Sequence, residues 1–202
     1  IATAVARSRL KGEHNLDNAR LAASIAMKAG ADIEGVIRGI QKFEPLPHRL
    51  EAHDIGGLTF VDDSISTTPE ATKVALAAYA GSRIALLAGG HERQQDYGEL
   101  AGLLEPAGVS VLVCLPVTGD RLATAAYAAA PQVEVLEAAT LEAGMQALLS
   151  RRERLDTVIL SPGAPSYGQK RDSVTTFQNF EERGRAFVEL AEKLFGQKHS
   201  PA

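Results

Sequence analysis

The 202-residue sequence lacks the glycine-rich motifs with which the common α/β enzymes bind nucleotides. It contains no Gly-x-x-x-x-Gly-Lys-Ser/Thr, so these residues form no P-loop for a nucleoside triphosphate. No Gly-x-Gly-x-x-Gly follows a strand-like run, which argues against an NAD-dependent oxidoreductase. A nucleophile elbow and a zinc-ligand spacing are also missing, so we expect no metal site in this chain.

The sequence also has little cysteine, no excess of basic charge and no long apolar run. Its single cysteine, Cys114, cannot form an internal disulfide and lies in the apolar run 109–115, so we expect a buried, inert thiol in a reducing compartment. The formal net charge of −4 argues against a nucleic acid or an anionic membrane as the main partner. No apolar stretch reaches the ~18 residues of a membrane span. We therefore expect no membrane partner and a cytoplasmic location.

The first part of the chain carries two helical patterns and ends in a proline-rich break. Residues 1–5 are β-like and predict a terminal strand. The following apolar periodicity predicts a helix that Asn15 caps and Gly30 ends, and a second helix over residues 33–43 that Asp32 caps. Two prolines then forbid further helix, so we expect a domain boundary after residue 47.

From residue 50 onwards, strand patterns and helix patterns alternate. Apolar strands that alternate with helices predict an α/β domain with a Rossmann-like, doubly wound and mostly parallel sheet. A Gly-Gly pair between the first two strands predicts an antiparallel hairpin at one edge. The predicted strands are 50–55, 58–61, 84–88, 109–115, 133–136 and 157–160. One predicted helix begins after Thr68, and the others are 97–104, 120–130, 141–149 and 180–195.

Three polar clusters directly follow predicted strands. They comprise Asp62, Asp63, Ser64, Ser66, Thr67 and Thr68; Gly89, Gly90, His91, Glu92, Arg93 and Asp96; and Ser161, Pro162, Gly163, Ser166 and Tyr167. Because the carboxyl ends of parallel strands meet at one edge of a sheet, we expect the clusters to lie together. Hydroxyls, backbone amides and a guanidinium suit a small anionic ligand such as a carboxylate or phosphate. For the first cluster the alternative is a solvated turn before a helix that Thr68 caps.

Six motifs in this order resemble those of the Mur ligases. They are His14-Asn15-x-x-Asn18-Ala19; Leu46-Pro47-His48-Arg49-Leu50-Glu51; Asp62-Asp63-Ser64-x-x-Thr67 with Pro69-Glu70-Ala71-Thr72; Gly89-Gly90; Leu160-Ser161-Pro162-x-Ala164-x-Ser166-Tyr167; and Phe177-x-Asn179-Phe180-x-x-Arg183-Gly184. Within the family, the sequence is most similar to the members that add D-glutamate. The resemblance implies that residues 1–47 end a central ATP-binding domain and that residues 48–202 form the C-terminal, Rossmann-like glutamate-binding domain.

The resemblance also implies an activity. Such a ligase would add D-glutamate to UDP-N-acetylmuramoyl-L-alanine through an acyl phosphate, in the synthesis of peptidoglycan precursors. It would use ATP and Mg²⁺, both bound mainly by parts outside this chain, and would be a monomer when full length. The residues present here would form no amide bond by themselves.

Individual roles follow from the same resemblance. Asn15 and Asn18 would lie by the adenine of ATP, while His48, Arg49 and Asp63 would contact its ribose or phosphates and act in catalysis. The residues expected around glutamate are Ser64, Thr67, Arg93, Ser166, Asn179, Phe180 and Arg183. For the last three, the alternatives are a helix cap for the asparagine, core packing for the phenylalanine and a surface charge for the arginine.

The sequence departs from the family pattern at the end of the site where the amino acid would bind. Ile65 and Arg93 stand where the family often has lysine, and the loop 168–177 is longer than usual. An arginine keeps the charge and can bind a carboxylate with two donors, so the geometry of glutamate binding would differ. Two alternatives therefore stay open: ligation of L-glutamate, and an α/β domain that binds a small molecule without catalysis.

Overall fold

The computed structural model describes residues 1–8, 10, 12–173 and 176–196, and it divides into two compact units, Ile1–Pro47 and His48–Ala202. The end of the second predicted domain, residues 197–202, and residues 174–175 of its longer loop lie outside the described residues. None of the described helices is long and apolar enough to cross a membrane.

The first unit consists of three helices, and its first element differs from the sequence prediction. The helices are α1 (Ala2–Ala6), α2 (Glu13–Lys28) and α3 (Ile33–Lys42). The predicted strand over residues 1–5 was wrong: alanine is the best helix former, and three of the five residues of Ala2–Ala6 are alanines, which favours the helix. Packing of α1 on α2 and α3 buries Ala4 and Val5, which adds the tertiary support that a five-residue helix needs.

The ends of the helices in this unit follow local chemistry. Asp32 caps α3 as predicted, because its carboxylate accepts a hydrogen bond from the Gly35 N–H at 2.7 Å. Gly30 follows α2 with a φ of 99°, as expected for a glycine just beyond a helix. The N-cap of α2, however, is Gly12 and not Asn15, which lies within the first turn.

The second unit is built on one six-stranded sheet, and this confirms the predicted fold class. Its strands are β1 (Glu51–Ile55), β2 (Leu58–Asp62), β3 (Ile84–Ala88), β4 (Val109–Cys114), β5 (Glu134–Glu137) and β6 (Thr157–Leu160), in the spatial order β1-β2-β6-β3-β4-β5. β1 and β2 form the predicted antiparallel hairpin, and all other pairs are parallel. Gly56 and Gly57 turn the hairpin at φ values of 59° and 86°, which glycine adopts without strain.

Helices cover both faces of this sheet. They are α4 (Pro69–Ala78), α5 (Gly98–Leu103), α6 (Gly119–Ala129), α7 (Leu141–Leu148) and α8 (Phe180–Phe195), with a 3₁₀ helix at Leu149–Arg154. Phe60 packs with α7 and α8 on one face, while its neighbour Val61 packs with α4, α5 and α6 on the other. Successive strand residues point to opposite faces, so apolar runs are required in the central strands.

Candidate active site at the carboxyl edge of the sheet

The loops that follow β2, β6 and β3 meet at one edge of the sheet, because these strands are neighbours and parallel. The Ser161 hydroxyl, after β6, donates to Asp63 Oδ2, after β2, at 2.7 Å. The Gly89 N–H, after β3, donates to the Pro162 carbonyl at 2.8 Å. The prediction that the three polar clusters lie together is therefore confirmed.

Asp63 lies inside this edge and joins its loops. Only 2% of the residue is exposed, and its other carboxylate oxygen accepts from the Leu50 N–H at 3.2 Å. Burial raises the pKa of Asp63 to about 6, although hydrogen bonds from Ser66, Ser161 and the Leu50 backbone lower it. The carboxylate therefore draws the segment before β1 onto the ends of β2 and β6.

His48 and Asp62 form a second buried pair beside Asp63. Nδ1 of His48 lies 2.7 Å from Asp62 Oδ2, and Asp62 Oδ1 accepts from the Ser64 N–H at 3.0 Å. Burial raises the pKa of Asp62, and the hydrogen bond from His48 opposes that shift. The sequence analysis gave Asp62 no individual role, since only the fold shows that it anchors the predicted catalytic histidine.

Arg49 is presented to solvent between two residues with left-handed backbone. His48 has a φ of 61° and Leu50 a φ of 50°, values that cost non-glycine residues free energy. A hydrogen bond from the His48 N–H to Glu51 Oε2, at 2.9 Å, helps to hold this turn. Within the described chain, Arg49 is exposed and has no ion pair or side-chain hydrogen bond, so its guanidinium is available to a ligand.

Arg183 is a fully buried cation that links α8 to two of the loops. Its Nε donates to Ser64 Oγ at 3.0 Å, and Nη2 donates to the carbonyls of Ser64 and Ala164 at 2.9 and 3.2 Å. Its Nη1 donates to Ala164 O at 3.3 Å and to Gln169 Oε1 at 2.6 Å. A guanidinium has five N–H donors, and all five are used here.

This arrangement changes the interpretation of Arg183. The alternative of a surface charge was wrong, because none of the residue is exposed. Burial lowers its pKa, and the charge of Asp62 opposes that shift. With every donor used inside the protein, Arg183 acts on the site by holding Ser64 and the loop after β6.

Gln169 is a site residue that the sequence analysis missed. It is buried, and its Nε2 donates to the carbonyls of Gly89 at 2.7 Å and Pro116 at 3.1 Å, while its Oε1 accepts from Arg183. The side chain thus joins the loops after β3 and β4 to α8. It lies within the loop 168–177, and no local pattern distinguishes it from an exposed glutamine.

Asn179 and Phe180 stand at the start of α8. The Asn179 side chain accepts from the Glu182 N–H at 2.8 Å, so the alternative of a helix cap is confirmed. Phe180 is half-buried, and its carbonyl accepts from Ser64 Oγ at 2.8 Å. Its ring packs edge-on against His48 with centroids 6.1 Å apart. Phe180 therefore contacts the predicted catalytic histidine directly.

Three more predicted residues lie on the loops of this edge. Thr67 is half-buried, and its carbonyl accepts from Gln95 Nε2 at 3.2 Å. Ser166 is buried, and its carbonyl accepts from the Gln169 N–H at 3.0 Å. Arg93 is exposed, and within the described part of the chain its side chain has no ion pair or hydrogen bond. Its guanidinium is therefore available to a carboxylate ligand.

The remaining predicted residues belong to the first unit. Asn15 and Asn18 lie one turn apart on α2, so they share one face of that helix. Asn18 is exposed and Asn15 is half-buried. A shared face is what two contacts to one planar base require.

Comparison with known proteins agrees with the fold and the motifs. The family description "Mur ligase, glutamate ligase domain" matches residues 48–164. The chain is 34% identical over 181 residues to UDP-N-acetylmuramoylalanine–D-glutamate ligase of Rubrobacter xylanophilus, which covers 89% of this chain and 39% of that protein. It is 36% identical over 188 residues to UDP-N-acetylmuramoyl-L-alanine–L-glutamate ligase of Xanthomonas axonopodis pv. citri, a match that covers 90% of this chain and 38% of that protein.

Solved structures share the fold. The UDP-N-acetylmuramate-alanine ligase MurC from Thermotoga maritima superposes with a TM-score of 0.64 at 17% identity, over 92% of this chain and 39% of that one. The chain thus spans 38–39% of the length of these relatives.

Proposed function

The chain belongs to the Mur ligase family, and on that premise we propose that it is part of an ATP-dependent ligase that adds D-glutamate to UDP-N-acetylmuramoyl-L-alanine. Residues 1–47 are the end of the ATP-binding domain, and residues 48–202 are the glutamate-binding domain. The ligase makes peptidoglycan precursors in the cytoplasm as a monomer. It uses ATP and Mg²⁺, which are bound mainly by parts that this chain does not span.

One observation carries the proposal: a rigid carboxyl edge leaves two guanidinium groups free. Asp63, Arg183 and Gln169 fix the loops through buried hydrogen bonds. Arg49 and Arg93 are exposed on those loops and have no partner within the described residues. Such an arrangement binds anions with little loss of conformational entropy, because the backbone is already ordered.

The two arginines suit the two anionic groups of the reaction. Arg49 stabilises the charge that develops on the transferred phosphoryl group and on the acyl phosphate. Arg93 binds a carboxylate of glutamate through two parallel hydrogen bonds. The amine of glutamate is then held against the activated acyl carbon, a positioning effect that can lower the barrier by several kcal/mol.

Buried polar residues support these contacts from inside. The Asp63 carboxylate accepts hydrogen bonds from Ser66, Ser161 and the Leu50 N–H, and a carboxylate has about four lone-pair sites, so one remains for a ribose hydroxyl. His48 is fixed by Asp62, so it can contact the nucleotide in one orientation. Ser64, Thr67, Ser166, Asn179 and Phe180 shape the glutamate pocket, and Asn15 and Asn18 contact the adenine.

L-Glutamate is the second candidate for the added amino acid. Relatives that add the L-isomer, from Xanthomonas axonopodis pv. citri and from a Micromonospora species, are 36% and 33% identical to this chain. The D-glutamate ligase of Rubrobacter xylanophilus is 34% identical, so identity favours neither isomer. Ile65 and Arg93, which replace lysines common in the family, lie at the end of the site that would distinguish D-glutamate from L-glutamate.

The test is an amide-ligation assay with the full-length protein, ATP, Mg²⁺, UDP-N-acetylmuramoyl-L-alanine and either isomer of glutamate. We expect Arg93→Ala to raise KM for glutamate about 10–100-fold with little change in KM for ATP, because the lost contact serves only the amino acid. Arg49→Ala should lower kcat by a similar factor. Arg154→Ala is the control, since Arg154 lies at the opposite edge and pairs with Glu134.

Three outcomes decide between the candidates. Product with D-glutamate alone supports the main proposal, and product with L-glutamate alone supports the second candidate. Saturable glutamate binding without product from either isomer would overturn both and favour a domain that binds a small molecule without catalysis.

A further inference from the structure

A pocket of about 240 Å³ lies between the β1–β2 hairpin and α8. Its polar lining comes from His48, Glu51, His53 and Asp62 on the hairpin side and from Arg185 and Glu189 on α8. The proposed function uses His48 at the carboxyl edge, but it gives no role to Glu51 or His53. The pocket therefore contains chemistry that amide ligation does not explain.

Three of the lining residues are arranged as metal ligands. His48, Glu51 and Asp62 each offer one donor atom, and these atoms lie within 4.8 Å of one another. Ligands of a tetrahedral Zn²⁺ ion lie about 2.0–2.2 Å from the metal and hence about 3.3 Å apart. Changes of up to about 1.5 Å in these distances would reach that spacing, and His48 Nδ1 and Asp62 Oδ2, now 2.7 Å apart, would separate slightly. An imidazole together with two carboxylates suits Zn²⁺ or Co²⁺ better than Mg²⁺, which prefers oxygen and water.

His53 supplies a second, independent observation. Its Nε2 is buried and has no hydrogen-bond partner among the described residues, although it lies only 3.7 Å from Glu51 Oε1. A buried polar atom without a partner is unfavourable. Coordination would satisfy this nitrogen, because neutral imidazole is a common metal ligand. His53 borders the cluster of His48, Glu51 and Asp62 without belonging to it, so its side chain would have to rotate to become the fourth ligand.

Backbone and charge around the cluster define how an ion would enter. A Cβ on Gly184 of α8 would lie 2.3 Å from His48 Nδ1 and 2.5 Å from Asp62 Oδ2, so the helix closes that side. The opposite side faces the pocket. Glu189 pairs with Arg171 and Arg185 adds a positive charge to the lining, so the negative charge that an ion would meet comes from Glu51 and Asp62.

Although the sequence has no zinc-ligand spacing and predicted no metal site, we propose that this pocket binds one divalent transition-metal ion of the Zn²⁺ class, with His48, Glu51 and Asp62 as ligands and His53, after a rotation of its side chain, as the fourth. His48 and Glu51 flank Arg49, and the bound ion would hold this turn in its left-handed conformation. The site requires no nucleotide and no substrate, so it can be tested without reference to the ligase reaction.

The test uses the untagged 202-residue chain and the metal alone. Calorimetric titration with Zn²⁺ should show one saturable site, and Co²⁺ should give the intense visible absorption of a tetrahedral complex. Glu51→Gln and His53→Gln should each weaken Zn²⁺ binding at least tenfold, because each removes a ligand. His91→Gln is the matched control, since that imidazole packs on Tyr167 away from the pocket.

Circular dichroism of each variant establishes that it is folded, and both substituted side chains are partly exposed. One-to-one binding that both pocket variants weaken and the control retains would support the site. The absence of stoichiometric Zn²⁺ binding, or binding that both pocket variants keep, would overturn it. A ligase without activity would leave this result unchanged, so the two proposals fail separately.

Discussion

Gly184 shows how a single hydrogen atom in place of a side chain can be required inside a helix. Among the nearest atoms to an added Cβ are His48 Nδ1 and both carboxylate oxygens of Asp62, all closer than 3 Å. Glycine is otherwise unfavourable at such a position, by about 1 kcal/mol relative to alanine. The glycine is therefore explained by the buried pair that α8 must approach.

We predict that Gly184→Ala destabilises the chain by about 2–4 kcal/mol, despite the gain in helix propensity, because the methyl group displaces a buried hydrogen-bonded pair. Urea denaturation of the chain measures the change. Gly102→Ala in α5 is the control, since a Cβ there has no neighbour within 4 Å and should be neutral or stabilising by up to ~1 kcal/mol. Equal free energies of unfolding for the two variants would contradict this explanation.

Asp63 provides a prediction about pH. Burial raises the pKa of its carboxyl to about 6 in the folded chain, above the ordinary value of 3.8 for an aspartate. Below pH ~4 the group is protonated in both states and imposes no penalty. As the pH rises from ~4 to ~6, the unfolded chain releases its proton first, so stability is lost, and above that window the loss is constant.

We therefore expect the stability of the wild type relative to Asp63→Asn to fall by about 2 kcal/mol between pH 4.5 and 7.5. Urea denaturation at intervals across this range measures the difference. Asp156→Asn is the control of opposite sign: Arg83 lowers the pKa of Asp156 to about 2, so its contribution is lost only as the pH falls below ~4. A difference for Asp63→Asn that does not change with pH would contradict the assignment.

At the scale of elements, local chemistry predicted the starts of α3 and α4 but not that of α2, where Gly12 and not Asn15 is the N-cap. Asp32 and Thr68 are the N-caps of α3 and α4, and the side-chain oxygen of each accepts a hydrogen bond from the N–H three residues later. Such a bond involves only neighbouring residues, so the sequence alone can predict it. The prediction of a strand at residues 1–5 failed because a short run of alanine with β-branched residues suits a strand or a helix, and packing decided between them. Gln169 was missed for a related reason, since its partners Gly89 and Pro116 lie 80 and 53 residues away in sequence.

Gln169 holds elements together because it is both donor and acceptor. We predict that Gln169→Leu costs about 3 kcal/mol, since it leaves a buried Arg183 donor and two carbonyls without partners. Gln169→Glu should also be destabilising, because a carboxylate would then face the carbonyls of Gly89 and Pro116. Urea denaturation measures both variants, and Gln132→Leu is the control because Gln132 is exposed.

The two substitutions at Gln169 separate charge from hydrogen bonding. If Gln169→Glu were as stable as the wild type, attraction to Arg183 alone would explain the residue, and the proposed link between the loops would be wrong. Under the proposed function, both variants would raise KM for glutamate in the full-length protein, because the loops that Gln169 joins would loosen.

At the scale of the molecule, the sequence predicted the edge of the sheet but not its internal connections. Strand periodicity and the polar residues after each strand are local signals, so the meeting of the loops follows from topology. The contacts of Asp63, Arg183 and Gln169 depend on the relative positions of β2, β6 and α8, which no local pattern encodes. Arg183 is likewise a buried cation in the structure, whereas the sequence suggested either a ligand contact or a surface charge.

The cores of the two units predict different behaviour in isolation. Helices of the second unit cover both faces of its sheet, with two apolar clusters that include Phe60, Phe187, Leu86 and Leu112. Residues 48–202 should therefore fold alone, with one cooperative transition in urea. The described apolar residues that are buried in the first unit are only Ala4, Val5, Ala19, Ala23 and Val36.

A core of three alanines and two valines buries too little apolar surface to offset the chain entropy of about fifty residues. We predict that residues 1–47 alone show no cooperative unfolding transition by circular dichroism, whereas residues 48–202 keep most of the stability of the whole chain. The full chain is the reference, measured by the same denaturation. Cooperative unfolding of the short fragment would show that helix packing suffices there, and loss of structure in the long one would show that its stability depends on the first 47 residues.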